Sequence, residues 1–119
     1  MILVDTSIWI DHLRRGDASL SDHLNHERVL MHPFVIGELG LGNLRDRSQV
    51  LRRLGRLPQT IVATDAETMQ FIERHRLMGS GIGYIDAHLL ASVAMTPPAR
   101  LWSRDARLAN VAQSLALAL

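Results

Sequence analysis

Short runs of aliphatic residues alternate along this chain with longer stretches of helical periodicity. The first run, Met1 to Val4, is continuously apolar, as in a strand that is buried on both faces of a parallel sheet. We predict three further strands, over 28–32, 60–63 and 100–103. Strands that alternate with helices indicate an α/β fold, here a three-layer sandwich in which helices flank a mostly parallel central sheet of four or five strands.

Capping residues and glycines predict where the helices between these strands begin and end. The stretch from Asp5 to Ser7 offers three N-cap candidates for a helix that ends near Gly16. Thr64 is followed three residues later by Glu67, which is the capping-box pattern. The helices expected run over 8–16, 17–26, 33–41, 45–56, 64–78, 84–95 and from 105 onward, with a glycine-rich loop at 79–83.

The composition limits the organisation and the chemistry of the chain. Its 119 residues, 47% of them hydrophobic, predict one domain over 1–119 with a single core. There is no cysteine, and all 13 basic residues are arginine, so mechanisms that need a thiol or a lysine amine are excluded. No segment reaches the roughly 20 apolar residues of a membrane span, and the start lacks the pattern of a secretory signal. We therefore expect a cytoplasmic protein with no membrane partner.

Five arginines lie between positions 45 and 56, where the only acid is Asp46. Such a segment would be able to follow a phosphate backbone. The alternative is a solvated helix face on which arginine stems cover apolar surface. The sequence leaves both interpretations open.

Two carboxylates occupy positions at which the helical pattern calls for apolar side chains. Asp86 shares its helix face with Leu89 and Val93, and Glu38 shares its face with Val35. A buried carboxylate without a partner costs several kcal/mol. Each of these two acids must therefore meet a cation, hydrogen-bond donors or a metal ion.

Two further acids follow predicted strands. Asp5 comes directly after the first strand, and Asp105 closely follows the fourth. The carboxyl ends of strands are where open α/β sheets bind ligands, although either aspartate would also serve as a helix N-cap. With Glu38 and Asp86, they suggest one acidic pocket. Two charges about 5 Å apart repel by roughly 3 kcal/mol at an effective dielectric of about 20, so such a pocket needs divalent cations, and oxygen ligands favour Mg²⁺ or Mn²⁺.

Magnesium held by carboxylates usually acts on phosphate esters, which makes phosphodiester hydrolysis the natural candidate. A phosphatase of the haloacid type would need a second aspartate where Ser7 stands, and a receiver domain would need a lysine. His88 is rotated by about 200° from Asp86 around the helix, away from the pocket. The remaining histidines show no metal-ligand spacing and are expected to have surface or structural roles: His12, His23, His26, His32 and His75.

Four segments of the chain resemble the PIN-domain ribonucleases and, within them, the VapC toxins of bacterial VapBC toxin–antitoxin modules. These segments are Asp5–Asp11, Glu38 inside a helix, Gly83–Ala91 and Leu101–Asp105. The resemblance covers nearly the whole chain and implies a PIN-like, Rossmann-like sandwich. The family usually has another aspartate and a phenylalanine after the fourth acid, where this chain has Arg107 and Leu108.

The resemblance also implies roles for individual residues. It implies an Mg²⁺-dependent ribonuclease, with Mn²⁺ as the other ion, and Thr6 and Ser103 would be auxiliary hydroxyls. Four acids would hold the metal and position the attacking water: Asp5, Glu38, Asp86 and Asp105.

The partners implied by the resemblance are an RNA substrate, such as structured tRNA or rRNA, and a VapB-type antitoxin that inserts a basic side chain into the acidic pocket. A homodimer is also implied, within a larger hetero-oligomer with the antitoxin. Ile8, Trp9 and Leu13 either line a groove for the antitoxin or belong to the core. The alternative function is a non-catalytic PIN-like module that binds RNA or protein without cutting.

Overall fold

A computed structural model describes all 119 residues of the chain and contains a parallel sheet of three strands. The strands are β1 (Ile2–Val4), β2 (Val29–Leu30) and β3 (Arg100–Trp102), and β1 lies between the other two. Seven helices flank the sheet: α1 (Thr6–Arg15), α2 (Ala18–Asn25), α3 (Pro33–Gly40), α4 (Arg47–Gly55), α5 (Asp65–His75), α6 (Tyr84–Ala94) and α7 (Ala106–Ser114). The predicted α/β architecture is therefore confirmed. None of the helices has the length and apolar character needed to cross a membrane.

The number of strands is smaller than the four or five predicted, because the strand expected over 60–63 does not form. The amide groups of Ile61 and Ala63 donate to the side-chain hydroxyls of Thr96 and Ser92, at 3.1 and 3.0 Å. These donors are thus satisfied by the end of α6 rather than by a neighbouring strand. The adjoining chain keeps only one isolated parallel bridge to the end of β2.

The helix boundaries follow the capping signals closely. α1 ends before Gly16, whose φ of 77° suits a residue without a side chain. The predicted capping box is present, since Glu67 N–H donates to Thr64 Oγ1 at 3.1 Å and Thr64 N–H donates to a Glu67 carboxylate oxygen at 2.9 Å. The helix that this box opens ends at His75, three residues earlier than predicted, because Arg76 adopts the left-handed conformation with φ 52°.

The core is built around β1 and α6. All three residues of β1 are buried, and α6 is buried from Ala87 to Val93. Ile8 and Trp9 are also fully buried, so these two side chains belong to the core and not to a groove. Leu13 is only partly buried and lies at the edge of the core.

Candidate functional site

Asp5 is placed by the central strand. Its backbone N–H donates to the carbonyl of Trp102 at 2.9 Å, which joins the ends of β1 and β3. Its side chain is 6% exposed, and Oδ2 accepts hydrogen bonds from Ser103 Oγ at 2.7 Å and Ser7 Oγ at 3.0 Å. Asp5 stands at the N-cap position of α1 but makes no side-chain capping bond. Its other oxygen, Oδ1, has no hydrogen-bond donor in the protein.

Asp105 lies beside Asp5 because both follow neighbouring parallel strands. Its Oδ1 accepts a hydrogen bond from the backbone N–H of Leu108 at 3.1 Å. Asp105 is therefore also the N-cap of α7, which was the alternative role expected for it. The backbone N–H of Asp105 donates to Ser103 Oγ at 3.0 Å. The hydroxyl of Ser103 therefore connects the first and fourth acids, while Asp105 Oδ2 stays without a protein donor.

Glu38 lies in the second half of α3 and is exposed. One of its oxygens accepts a hydrogen bond from Thr6 Oγ1 at 2.8 Å, which ties α3 to the start of α1. The inference that Glu38 points into the core is wrong, because its side chain is exposed. Glu38 therefore forms the outer rim of the acidic cluster.

Asp86 lies in the first turn of α6 and is half-buried. Its Oδ2 accepts a weak hydrogen bond from Gly83 N–H at 3.4 Å, which is half of a capping box, since glycine has no side chain to complete it. Burial raises the pKa of Asp86 above its ordinary value, the Gly83 bond opposes this shift, and the charges of Asp5, Asp105 and Glu38 add to it. The charges of the other three predicted acids therefore all reach Asp86.

None of the ion pairs of the structure involves these four acids. The nearest arginine along the chain, Arg104, donates instead to Asp11 at 2.6 Å and to Asp17. These two ion pairs raise the pKa of Arg104, with Asp17 as the larger cause. Its backbone N–H also donates to Ser7 Oγ at 3.2 Å. Arg104 thus fastens the segment of Ser103 and Asp105 to α1 and α2, which the sequence analysis did not anticipate.

The donor set of the cluster fits a hard, partly hydrated divalent cation. Each carboxylate uses one oxygen for a hydrogen bond and keeps the other without a donor. Oxygen ligands of this kind suit Mg²⁺ and Mn²⁺. No three acidic or histidine side chains converge closely enough to enclose an ion by themselves. Mg²⁺ commonly retains several waters and takes only one or two protein carboxylates together with substrate phosphate, so an open cluster is compatible with it.

His88 lies on the opposite side of α6 from Asp86, as the helical spacing predicts. Its Nε2 lies 2.9 Å from Asp65 Oδ1 and its Nδ1 lies 3.0 Å from Thr68 Oγ1. Because a carboxylate only accepts, Nε2 carries a proton and donates a hydrogen bond to Asp65. Tyr84 also donates to Asp65, at 3.0 Å. This network joins α5 to α6 and takes no part in the acidic cluster.

The parallel sheet, with acidic side chains at the carboxyl ends of its strands and on the adjoining helices, agrees with the class of proteins that the sequence resembles. The PIN domain family matches residues 2–114, and this chain belongs to that family. Two relatives place it in the VapC group of the family. They are Ribonuclease VapC32 from the Mycobacterium tuberculosis strains CDC 1551 / Oshkosh and ATCC 25618 / H37Rv, each 50% identical over 108 residues, which cover 91% of this chain and 87% of the relative. The resemblance identified in the sequence is thus confirmed.

Proposed function

We propose that this chain is a metal-dependent endoribonuclease that acts in the cytoplasm as the toxin of a type II toxin–antitoxin pair. The observation that carries the proposal is the acidic cluster: Asp86 faces the charges of three other carboxylates, and no arginine neutralises any of them. The VapC32 relatives, which are named ribonucleases, support RNA as the substrate. Structured tRNA or rRNA is the substrate class proposed.

The residues of the cluster would bind the metal ion or orient the residues that bind it. A bound Mg²⁺ or Mn²⁺ would supply an acidified water and neutralise charge on the phosphate oxygens. Ser7 and Ser103 hold one oxygen of Asp5, so Oδ1 is the oxygen presented to ligand. Thr6 orients Glu38 in the same way. The metal ligands proposed are Asp5, Glu38, Asp86 and Asp105, which would bind the ion directly or through its waters; Glu38 and Asp105 are the two exposed members of this set.

The same cluster supports a protein partner with a basic side chain. Four carboxylates without a cation of their own would accept an arginine or lysine from outside the chain. A VapB-type antitoxin that places such a residue among them would block the site by replacing the metal charge. We further propose that the chain forms a homodimer in a larger complex with this antitoxin.

A cleavage assay with matched variants tests the proposed activity. Purified protein should cut a structured RNA with Mg²⁺ or Mn²⁺, stop with EDTA, and recover when the ion is restored. Asp5→Asn should lower the rate by at least about 100-fold, the size typical for loss of a group at the reacting centre. Asp46→Asn, which makes the same change at an exposed position outside the cluster, should leave the rate unchanged. Full activity in EDTA would refute the metal mechanism.

The alternative, a PIN-like module that binds without cutting, gives a different pattern in the same assay. Such a module would cut no RNA before or after Asp5→Asn, and its RNA binding would be the same in both forms. The lack of a protein donor to Asp5 Oδ1 favours the enzyme, since a buried carboxylate with only a structural role is expected to have donors for both oxygens.

A further inference from the structure

A groove of about 490 Å³ opens beside Glu38. It is lined by residues of α1, α3, the segment 42–45 and the start of α4. Arg14 and Arg45 belong to this lining, together with Leu13 and Leu44. We call this surface the Arg14–Arg45 groove.

The groove continues directly from the acidic cluster. Glu38 belongs to both, and its partner Thr6 begins the α1 face that carries Ile10 and Arg14, four and eight residues further on. At 1.5 Å per residue, Arg14 lies about 12 Å along the helix axis from Thr6. A stacked strand advances about 3.4 Å per nucleotide, so this distance corresponds to about three nucleotides.

The charges and the apolar surface of the groove match a nucleic-acid strand. Arg14 and Arg45 are exposed and form no ion pair within the chain, whereas Arg15 and Arg104 both pair with Asp11. Two guanidinium groups without ion pairs on the lining of one groove are suited to the phosphates of a nucleic-acid backbone. The half-buried Leu13 and Leu44 of the same lining offer an apolar surface to a base or a ribose. The continuity of the groove with the acidic cluster, through Glu38, favours the RNA substrate as its occupant.

We propose that the Arg14–Arg45 groove binds the single-stranded RNA segment that flanks the scissile phosphate. Arg14 and Arg45 contact backbone phosphates, and Leu13 and Leu44 support the nucleotide between them. This inference rests on the proposed ribonuclease function and extends it from the reacting phosphate to its neighbours. It assigns these arginines to substrate binding and not to the chemical step.

RNA binding by variants with equal charge tests the inference. The assay is fluorescence anisotropy of a labelled single-stranded RNA at several salt concentrations, with Asp5→Asn present throughout to prevent cleavage. Adding Arg14→Ala and Arg45→Ala should weaken binding at least 10-fold and reduce the salt slope by about 1.4, since each phosphate contact on a single strand contributes about 0.7. The control pair, Arg52→Ala and Arg53→Ala, removes the same charge from exposed positions of α4 outside the groove and should change binding less than twofold.

An equal loss of RNA affinity in the Arg14/Arg45 and Arg52/Arg53 variants would mean that only the overall charge matters, and it would overturn the inference. Unchanged RNA binding in the Arg14/Arg45 pair would also overturn it and would leave the groove to a protein partner. In the otherwise unmodified protein, the Arg14/Arg45 pair should raise KM and leave kcat unchanged. A parent protein that cuts no RNA with either ion refutes the proposed nuclease, and the anisotropy comparison then tests the groove by itself.

Discussion

Replacing Ser92 by alanine should destabilise the protein far more than the loss of one hydroxyl suggests. Ser92 lies in α6 with no exposed surface, and its Oγ accepts hydrogen bonds from Ala63 N–H at 3.0 Å and from His32 Nε2 at 3.1 Å. His32 carries its proton on Nε2, because its Nδ1 accepts from the backbone N–H of Phe34 at 3.0 Å. Ser92 therefore satisfies two buried donors on two different parts of the chain.

The expected cost follows from those two donors. Ser92→Ala leaves both without an acceptor, and an unsatisfied buried polar group costs about 1–3 kcal/mol. We expect a loss of about 2–4 kcal/mol in the free energy of unfolding, out of the roughly 5–15 kcal/mol typical of a domain. At about 4 °C per kcal/mol, Tm should fall by about 8–16 °C.

Urea denaturation of two serine variants provides the measurement and its control. Ser80 Oγ is also buried but has no hydrogen-bond partner, so Ser80→Ala removes an unsatisfied group and should be neutral or stabilising. If Ser92→Ala and Ser80→Ala changed the free energy of unfolding equally, the reasoning from the two donors would be refuted. The His32 contact also links α6, which carries Asp86, to the N-cap of α3, which carries Glu38.

Two other predictions concern titrating groups. Burial lowers the pKa of His32 from 6.5 to about 4, so the unfolded chain binds a proton below pH 6.5 that the folded protein does not bind until about pH 4. This contribution to stability is complete above pH 6.5 and should fall by up to about 3 kcal/mol toward pH 4. The free energy of unfolding, measured with urea over this range, should depend less steeply on pH in His32→Asn, which keeps a capping oxygen. Equal pH dependence in the two proteins would contradict the assignment. Asp86→Asn should leave the metal-free protein at least as stable, because it removes a charge that burial and its neighbours disfavour. Mg²⁺ should then raise the Tm of the parent more than that of the variant in thermal melts, and equal shifts would exclude Asp86 as a ligand.

The sequence predicted the positions of Asp5 and Asp86 best, because the residues next to each of them already indicate where it lies. Asp5 directly follows a continuous apolar run, so the end of the predicted strand places it at the edge of the sheet. Asp86 interrupts the apolar face of a helix that is buried on nearly all sides. Glu38 was found by the same argument, but α3 is apolar around most of its surface, so its pattern does not distinguish an inward from an outward face.

The features that the sequence did not predict depend on contacts between distant residues. Thr60 to Ala63 has the β-branched composition of a strand, yet the hydroxyl that binds Ile61 belongs to Thr96, which lies 35 positions further along the chain. Tertiary contacts therefore override the local preference. The two ion pairs of Arg104 likewise join positions 93 and 87 residues apart, which no spacing rule detects.

The attachment of Arg104 to Asp11 and Asp17 means that opposite sides of the acidic cluster are held by different forces. Asp5 is kept in place by a backbone hydrogen bond between the ends of β1 and β3, which dissolved ions hardly affect. The segment that bears Asp105 is held partly by the two ion pairs of Arg104, whose side chain is partly exposed and whose attraction weakens as salt is added. A high salt concentration would therefore loosen the side of the cluster that carries Asp105, while the side that carries Asp5 stayed rigid.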